Sequence, residues 1–168
     1  RALAHMAATR GTHPQLLQAV MDINQNQRQR AVTKLEQSLG DLKGRRIGVL
    51  GLSFKPNTDD TRDAPALDII RLLLAKGADV QGYDPQAMKV SKTLIPELSL
   101  RDNPYEVARD ADALLLATEW NEFKSLDFKK IKQAMRGNVI LDGRNIWDGQ
   151  ALHEMGFEYM GIGVPSPT

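Results

Sequence analysis

The 168 residues hold 22 Lys plus Arg against 21 Asp plus Glu, and the resulting net charge of +1 gives no electrostatic case for nucleic acid or an anionic membrane. The absence of cysteine excludes disulfides, thiolate catalysis and cysteine metal sites within the chain, while 42% hydrophobic residues describe an ordinary globule with a real core. No run approaches the ~18 apolar residues of a membrane span, so the expectation is a cytoplasmic protein of one domain plus an appendage.

The opening Arg1-Ala2-Leu3-Ala4-His5-Met6-Ala7-Ala8 reads as helix with neither cap nor initiator methionine, as in a domain cut from a longer polypeptide. A long helix follows over 14–38, with Pro14 in its first turn and Gly40 just past its end. At 1.5 Å per residue it would span roughly 37 Å. Its apolar residues fall into two groups, Leu16, Leu17, Val20, Met21 and Ile23, then Val32, Leu35 and Leu39, separated by the polar waist Asn24–Arg30. Such a helix either bridges two bodies or lies exposed with a solvated middle.

From Lys43 onward the pattern alternates. Strands are predicted at 46–52, 79–83, 113–117, 138–142 and 157–162, and helices at 65–75, 86–92, 103–109, 128–135 and 149–155. Gly44, Gly77, Gly137 and Gly156 mark turns before strands, where left-handed residues are needed. Near-continuous Ile, Val and Leu in the strands predicts a parallel sheet covered on both faces. The fold class is therefore α/β, a Rossmann-like doubly wound, mostly parallel sheet preceded by a long helix. Val164-Pro165-Ser166-Pro167-Thr168 continues no element and reads as a flexible tail over 164–168.

Chemistry concentrates where strands end. After Ile47–Phe54 comes a polar loop with Lys55, Asp59, Asp60, Thr61, Arg62 and Asp63, and a helix begins near Pro65. Lys55 and Arg62 are candidates for a phosphate or pyrophosphate, or else surface partners of the neighbouring aspartates. Gly48-x-x-Gly51 lacks the third glycine of a dinucleotide fingerprint, which argues against a standard NAD turn here. Asp84 of Tyr83-Asp84-Pro85 is placed either to accept ribose hydroxyls or to start a turn. Arg144 of Asp142-Gly143-Arg144-Asn145 projects over the same sheet edge, toward a diphosphate or toward Asp142 or a neighbouring acid. Trp120, in Thr118-Glu119-Trp120, is a stacking platform or a cap on the core. His5, His13 and His153 lack metal-ligand spacing, so no metal site is expected.

These motifs, in order, resemble the UDP-glucose/GDP-mannose dehydrogenase family. GLSFKPNTDDTRDAP follows a GxxFKxxTxDxRxSP-type loop, with Ala64 where a serine usually stands, and RALAHMA, YDP, TEW, DGRN and the closing GFEYxGIG accompany it. The resemblance implies a nucleotide-sugar-binding domain over 43–163, preceded at 1–42 by part of a central helical, dimerising region. It implies that Phe54, Lys55 and Arg144 contact a UDP-sugar, that Arg62 reaches toward NAD held mainly by another domain, and that the long helix carries part of a homodimer interface. The family oxidises a sugar C6 alcohol to a carboxylate with NAD through a cysteine thiohemiacetal. A cysteine-free chain would therefore contain no catalytic residue of its own. The wording is nearest to the UDP-glucose members. A non-catalytic nucleotide-binding dimerisation module, or a small stand-alone NAD reductase, are the competing readings.

Overall fold

In the computed structural model, which describes residues 15–164, the alternating pattern becomes six parallel strands with helices on both faces. Helix α1 (Gln15–Leu39) leads into β1 (Arg46–Leu50), α2 (Pro65–Ala75), β2 (Asp79–Tyr83), α3 (Met88–Leu94) and β3 (Ser99–Leu100). There follow α4 (Pro104–Ala108), β4 (Ala113–Leu116), a 3₁₀ turn (Asn121–Ser125), α5 (Phe128–Ala134), β5 (Val139–Asp142), α6 (Gly149–Glu154) and β6 (Glu158–Gly161). The opening RALAHMA stretch and residues 165–168 of the expected tail lie outside the described residues. Two elements escaped the sequence reading. Strand β3 pairs through only Ser99 and Leu100, too short to show a period, and the 3₁₀ turn is a single polar loop turn.

The strand order is β3-β2-β1-β4-β5-β6, all parallel, so the chain reverses direction of travel across the sheet between β1 and β4. Ligands of open α/β sheets bind outside the carboxyl ends at this reversal. Alternate residues feed two cores. Ile47, Val49, Leu115 and Leu141 face α1 and α2, where Val32, Leu35, Ile70 and Leu73 are fully buried. Leu50, Leu114, Leu116 and Ile140 face α4, α5 and α6 with Phe123, Ile131, Trp147 and Phe157. Gly44, Gly77 and Gly156 have φ of 74°, 79° and 82°, as expected of turn glycines. Gly137 differs. Its φ is not positive, and a Cβ there would lie 2.1 Å from the Asp112 carbonyl oxygen, so close backbone approach is what requires glycine.

Only the second half of α1 joins this core. Lys34 Nζ donates to the Gly161 carbonyl at 2.8 Å and Lys76 pairs with Glu36 at 2.6 Å, fixing Ala31–Leu39 against β6 and α2. Leu16, Val20 and Ile23 of the first half are exposed, Leu16 to 80%. No helix among the described residues is long and apolar enough to cross a membrane.

A buried carboxylate organises the carboxyl edge. Asp84, fully buried at the end of β2, accepts from the Leu52 and Ser53 amides, Ser53 Oγ and Trp120 Nε1 on one oxygen. The Gln86 and Ala87 amides donate to its other oxygen. Burial pushes its carboxyl up, but the amide donors of Gln86, Ala87, Leu52 and Ser53 outweigh it and hold the group below the ordinary carboxylate value. Turn formation is therefore its role here, and ribose hydroxyls have no access to it. Because the folded-state value lies below the unfolded one, near 3.9, this stabilisation is complete above about pH 5 and fades as pH falls through 4. Asp84→Asn should cost about 1.5–3 kcal/mol at pH 7, the worth of a hydrogen bond to a charged group. It should also flatten the acid limb of stability in urea titrations between pH 5 and 3. An acid limb as steep as that of the parent chain would contradict this.

Candidate functional site

The loop between β1 and α2 is built on Asp84 and then doubles back on itself. Gly51 has a φ of 84°, and a Cβ there would sit 2.5 Å from the Thr118 side chain, so β4's end packs directly beneath the loop's first residue. Thr118 Oγ1 donates to the Ser53 carbonyl at 2.6 Å, and the Phe54 amide to the Asp60 carbonyl at 2.8 Å. Asn57 and Asp63 adopt left-handed φ of 63° and 58°, a conformation that Asn and Asp tolerate better than most side chains. These constraints leave Phe54 47% exposed at the rim. Helix α2 then starts with Pro65 in its first turn, and Ala64 at its N-cap position supplies no side-chain cap.

A second loop follows β5. Asp142, buried, accepts from the amides of Arg144, Ile146 and Trp147 and from Tyr159 Oη, which winds residues 143–147 over the strand end. Burial and then the Asp142 charge push the Tyr159 hydroxyl well above its ordinary value, so it remains a donor. Gly143 lies so close to β4 that a Cβ would meet the Leu116 carbonyl oxygen at 2.5 Å. Arg144 Nε donates to Glu119 at 2.5 Å.

Between the two loops lies a cleft of about 670 Å³. Leu115, Leu141 and Ile69 are among its apolar lining, Phe54 and Pro65 come from one loop, and Gly143 and Arg144 from the other. The remaining wall is α1, which contributes Gln18, Asp22, Asn24, Gln25 and Arg28. The polar waist that separated the two apolar groups of the helix thus borders a cavity, with its amides and Arg28, and Asp22 just before it, lining a wall beside an apolar floor. A concave apolar floor with polar groups converging on it is the ordinary setting of a small-molecule site, and the polar wall here is extensive.

Of the predicted residues, the structure brings Phe54 and Arg144 into the cleft wall. Lys55 is exposed on the same loop and is not among the cleft-lining residues. Arg62 does not converge with Arg144. Its side chain is 89% exposed and grips Asp60 two residues earlier through Nε at 2.9 Å and Nη2 at 2.8 Å. Those hydrogen bonds hold the Asp60 carboxyl at about 2. A local loop closure thus engages the guanidinium that the sequence reading sent toward a ligand. Trp120 is buried and donates to Asp84 and Ser53, so it caps the core rather than offering a ring. Among the described residues no cluster of His, Asp and Glu could hold a metal.

Arg28 is the cleft residue that the sequence reading passed over. Its guanidinium is 11% exposed, is ion-paired with Asp68 of α2, and donates from Nη2 to the Asp63 carbonyl at 3.2 Å. The available signal was positional: Arg28 precedes Ala31, Val32 and Leu35 by three, four and seven residues, a charge on the buried stripe.

Residues 48–149 match the UDP binding domain of the UDP-glucose/GDP-mannose dehydrogenase family. The chain is 42% identical over 166 residues to a UDP-glucose 6-dehydrogenase of Rhizobium meliloti, covering 98% of this chain and 38% of that protein. It is 40% identical to the UDP-glucose 6-dehydrogenase TuaD of Bacillus subtilis, covering 98% and 36%. It therefore spans less than two fifths of the length of these curated relatives. The solved structure of a UDP-glucose dehydrogenase from Pyrobaculum islandicum aligns with a TM-score of 0.76 at 35% identity, over 86% of this chain and 32% of that one. The sheet order, the loop after β1 and these matches together make the chain a member of the UDP-glucose/GDP-mannose dehydrogenase family, carrying its UDP-binding domain.

Proposed function

We propose that this chain is the nucleotide-sugar-gripping part of an NAD-dependent UDP-glucose 6-dehydrogenase, which converts UDP-glucose and two NAD to UDP-glucuronate and two NADH in the cytoplasm. The observation that carries the reading is the switch-point cleft, with Phe54 and Arg144 on facing loops inside the matched UDP-binding segment. Phe54 packs on the ligand, and Lys55 and Arg144 neutralise its diphosphate. Residues 1–42 belong to a central helical region and 43–163 to the UDP-sugar domain.

The first turn of this sheet does not fit NAD. A Cβ at Gly48 would meet Val107 at 2.8 Å and one at Gly51 would meet Thr118, so both glycines accommodate the protein's own packing rather than a pyrophosphate. NAD binding is accordingly assigned to the rest of the polypeptide, with exposed Arg62 as this chain's contact to it. Leu16, Val20 and Ile23, an exposed apolar group on α1, form part of a homodimer interface. A non-catalytic nucleotide-binding dimerisation module remains the alternative, and sequence upstream of Arg1 distinguishes the two: a cysteine preceded by a GxGxxG turn decides for the enzyme.

UDP should bind the isolated chain in calorimetric titration. Lys55→Ala and Arg144→Ala should each weaken it by about 1.5–3 kcal/mol, the loss of a charge-assisted contact. If both variants titrate like the parent, the diphosphate lies elsewhere. With no thiol to form a covalent intermediate, the chain alone should produce no NADH from UDP-glucose and NAD. Measurable NADH from the pure chain would refute that. Light scattering at micromolar concentration should give a dimer mass that Val20→Asp converts to monomer, and a monomer for both would place the apolar group on its own polypeptide.

A further inference from the structure

We propose that Arg28 of α1 is a diphosphate-binding residue, so that the long helix reads the ligand directly instead of only covering the cleft. The inference rests on the nucleotide-binding reading of that cleft. Among the described lining residues the cations are two, Arg28 on the helix wall and Arg144 on the loop after β5. Arg144 gives its Nε to Glu119 at 2.5 Å, and a diphosphate carries more charge than one guanidinium offsets, so a second cation on the cleft wall completes the match. Arg62 is not among the cleft-lining residues.

The setting of Arg28 suits the task. Asp68 and Gln25 accept from Nη1 and the Asp63 carbonyl accepts from Nη2, which orients the planar group while engaging three of its five N–H donors. An 11% exposed guanidinium at the cleft wall acts in a lower dielectric than an exposed one, so its field on a phosphate is screened less. It is also fixed before the ligand arrives, which removes the ordering cost a loose side chain would add. Asp68, its ion-pair partner, and Asp22 and Asp63, which line the cleft, are the acids that temper this field. They oppose an anionic ligand, so a diphosphate is held here only through direct hydrogen bonds from the two guanidinium groups, which a neutral nucleoside does not use.

The test is NMR chemical-shift titration of the 168-residue chain with UDP, with uridine and with NAD. Arg28→Gln should weaken UDP by about tenfold or more and leave uridine within about twofold, while Arg28→Lys should recover part of the loss. Asp68→Asn, which removes the competing charge but keeps an acceptor, should bind UDP at least as tightly as the parent. If Arg28 were only a latch for the helix, Arg28→Gln and Asp68→Asn would weaken UDP and uridine together, and the proposal would fall. UDP binding unchanged in Arg28→Gln would overturn it as well. A loss confined to NAD would move Arg28 to the dinucleotide's pyrophosphate. A parent chain that binds no UDP would instead overturn the nucleotide-binding reading itself.

Discussion

The carboxylate of Asp84 is the constraint on which the ligand edge depends. A buried charge survives only where its lone pairs are filled, and the donors come from the ends of β1, β2 and β4 at once. The neighbouring strands β2, β1 and β4, the last of them reached only after the chain has passed through β3, are thereby pinned to one point at the place where the sheet reverses. The loop after β1 inherits its starting direction from the Leu52 and Ser53 amides on that carboxylate, and Phe54 follows immediately. Asp142 repeats the device at the end of β5, where it winds the loop bearing Arg144. The two cleft walls are thus supported by acids that never face the ligand.

Helix α1 shows how one element serves two environments. Its second half buries Ala31, Val32 and Leu35 against the sheet and α2, which holds the whole helix in place. The first half makes no comparable core and projects its polar waist over the cleft. Packing energy supplied at one end therefore positions polar groups at the other. The Arg28 pair with Asp68 stands at the junction of the halves, tying α1 to the helix that follows the ligand loop.

Local pairing and tertiary position pull the cations of this protein in different directions. Arg62 finds an acid two residues away, an arrangement available to the loop without any help from the rest of the fold. Arg144 finds Glu119 across two strand ends, and Arg28 finds Asp68 forty residues on, so both are placed by the assembled sheet. Of these three cations, the two with long-range partners line the cleft and the one with a local partner does not.

The sequence by itself determined the fold class, most element positions and the loop that matters. Continuous apolar strands, turn glycines and the GLSFKPNTDDTRDAP stretch are local signals, and each depends on residues close together in the chain. It also held both readings of Asp84, Arg62 and Trp120 open, since a residue's type and spacing do not say which way its side chain is drawn. Tertiary structure gave Asp84 and Trp120 to the core, and it set exposed Arg62 beside Asp60 and outside the cleft lining. It also supplied what no local pattern contained: the two-residue strand β3, the requirement for glycine at 137 against Asp112, and Asp68 as the partner that holds Arg28 at the cleft wall. The reason is common to all three. Each depends on a neighbour at least 18 residues away along the chain, and such neighbours become definite only when the sheet has closed around them.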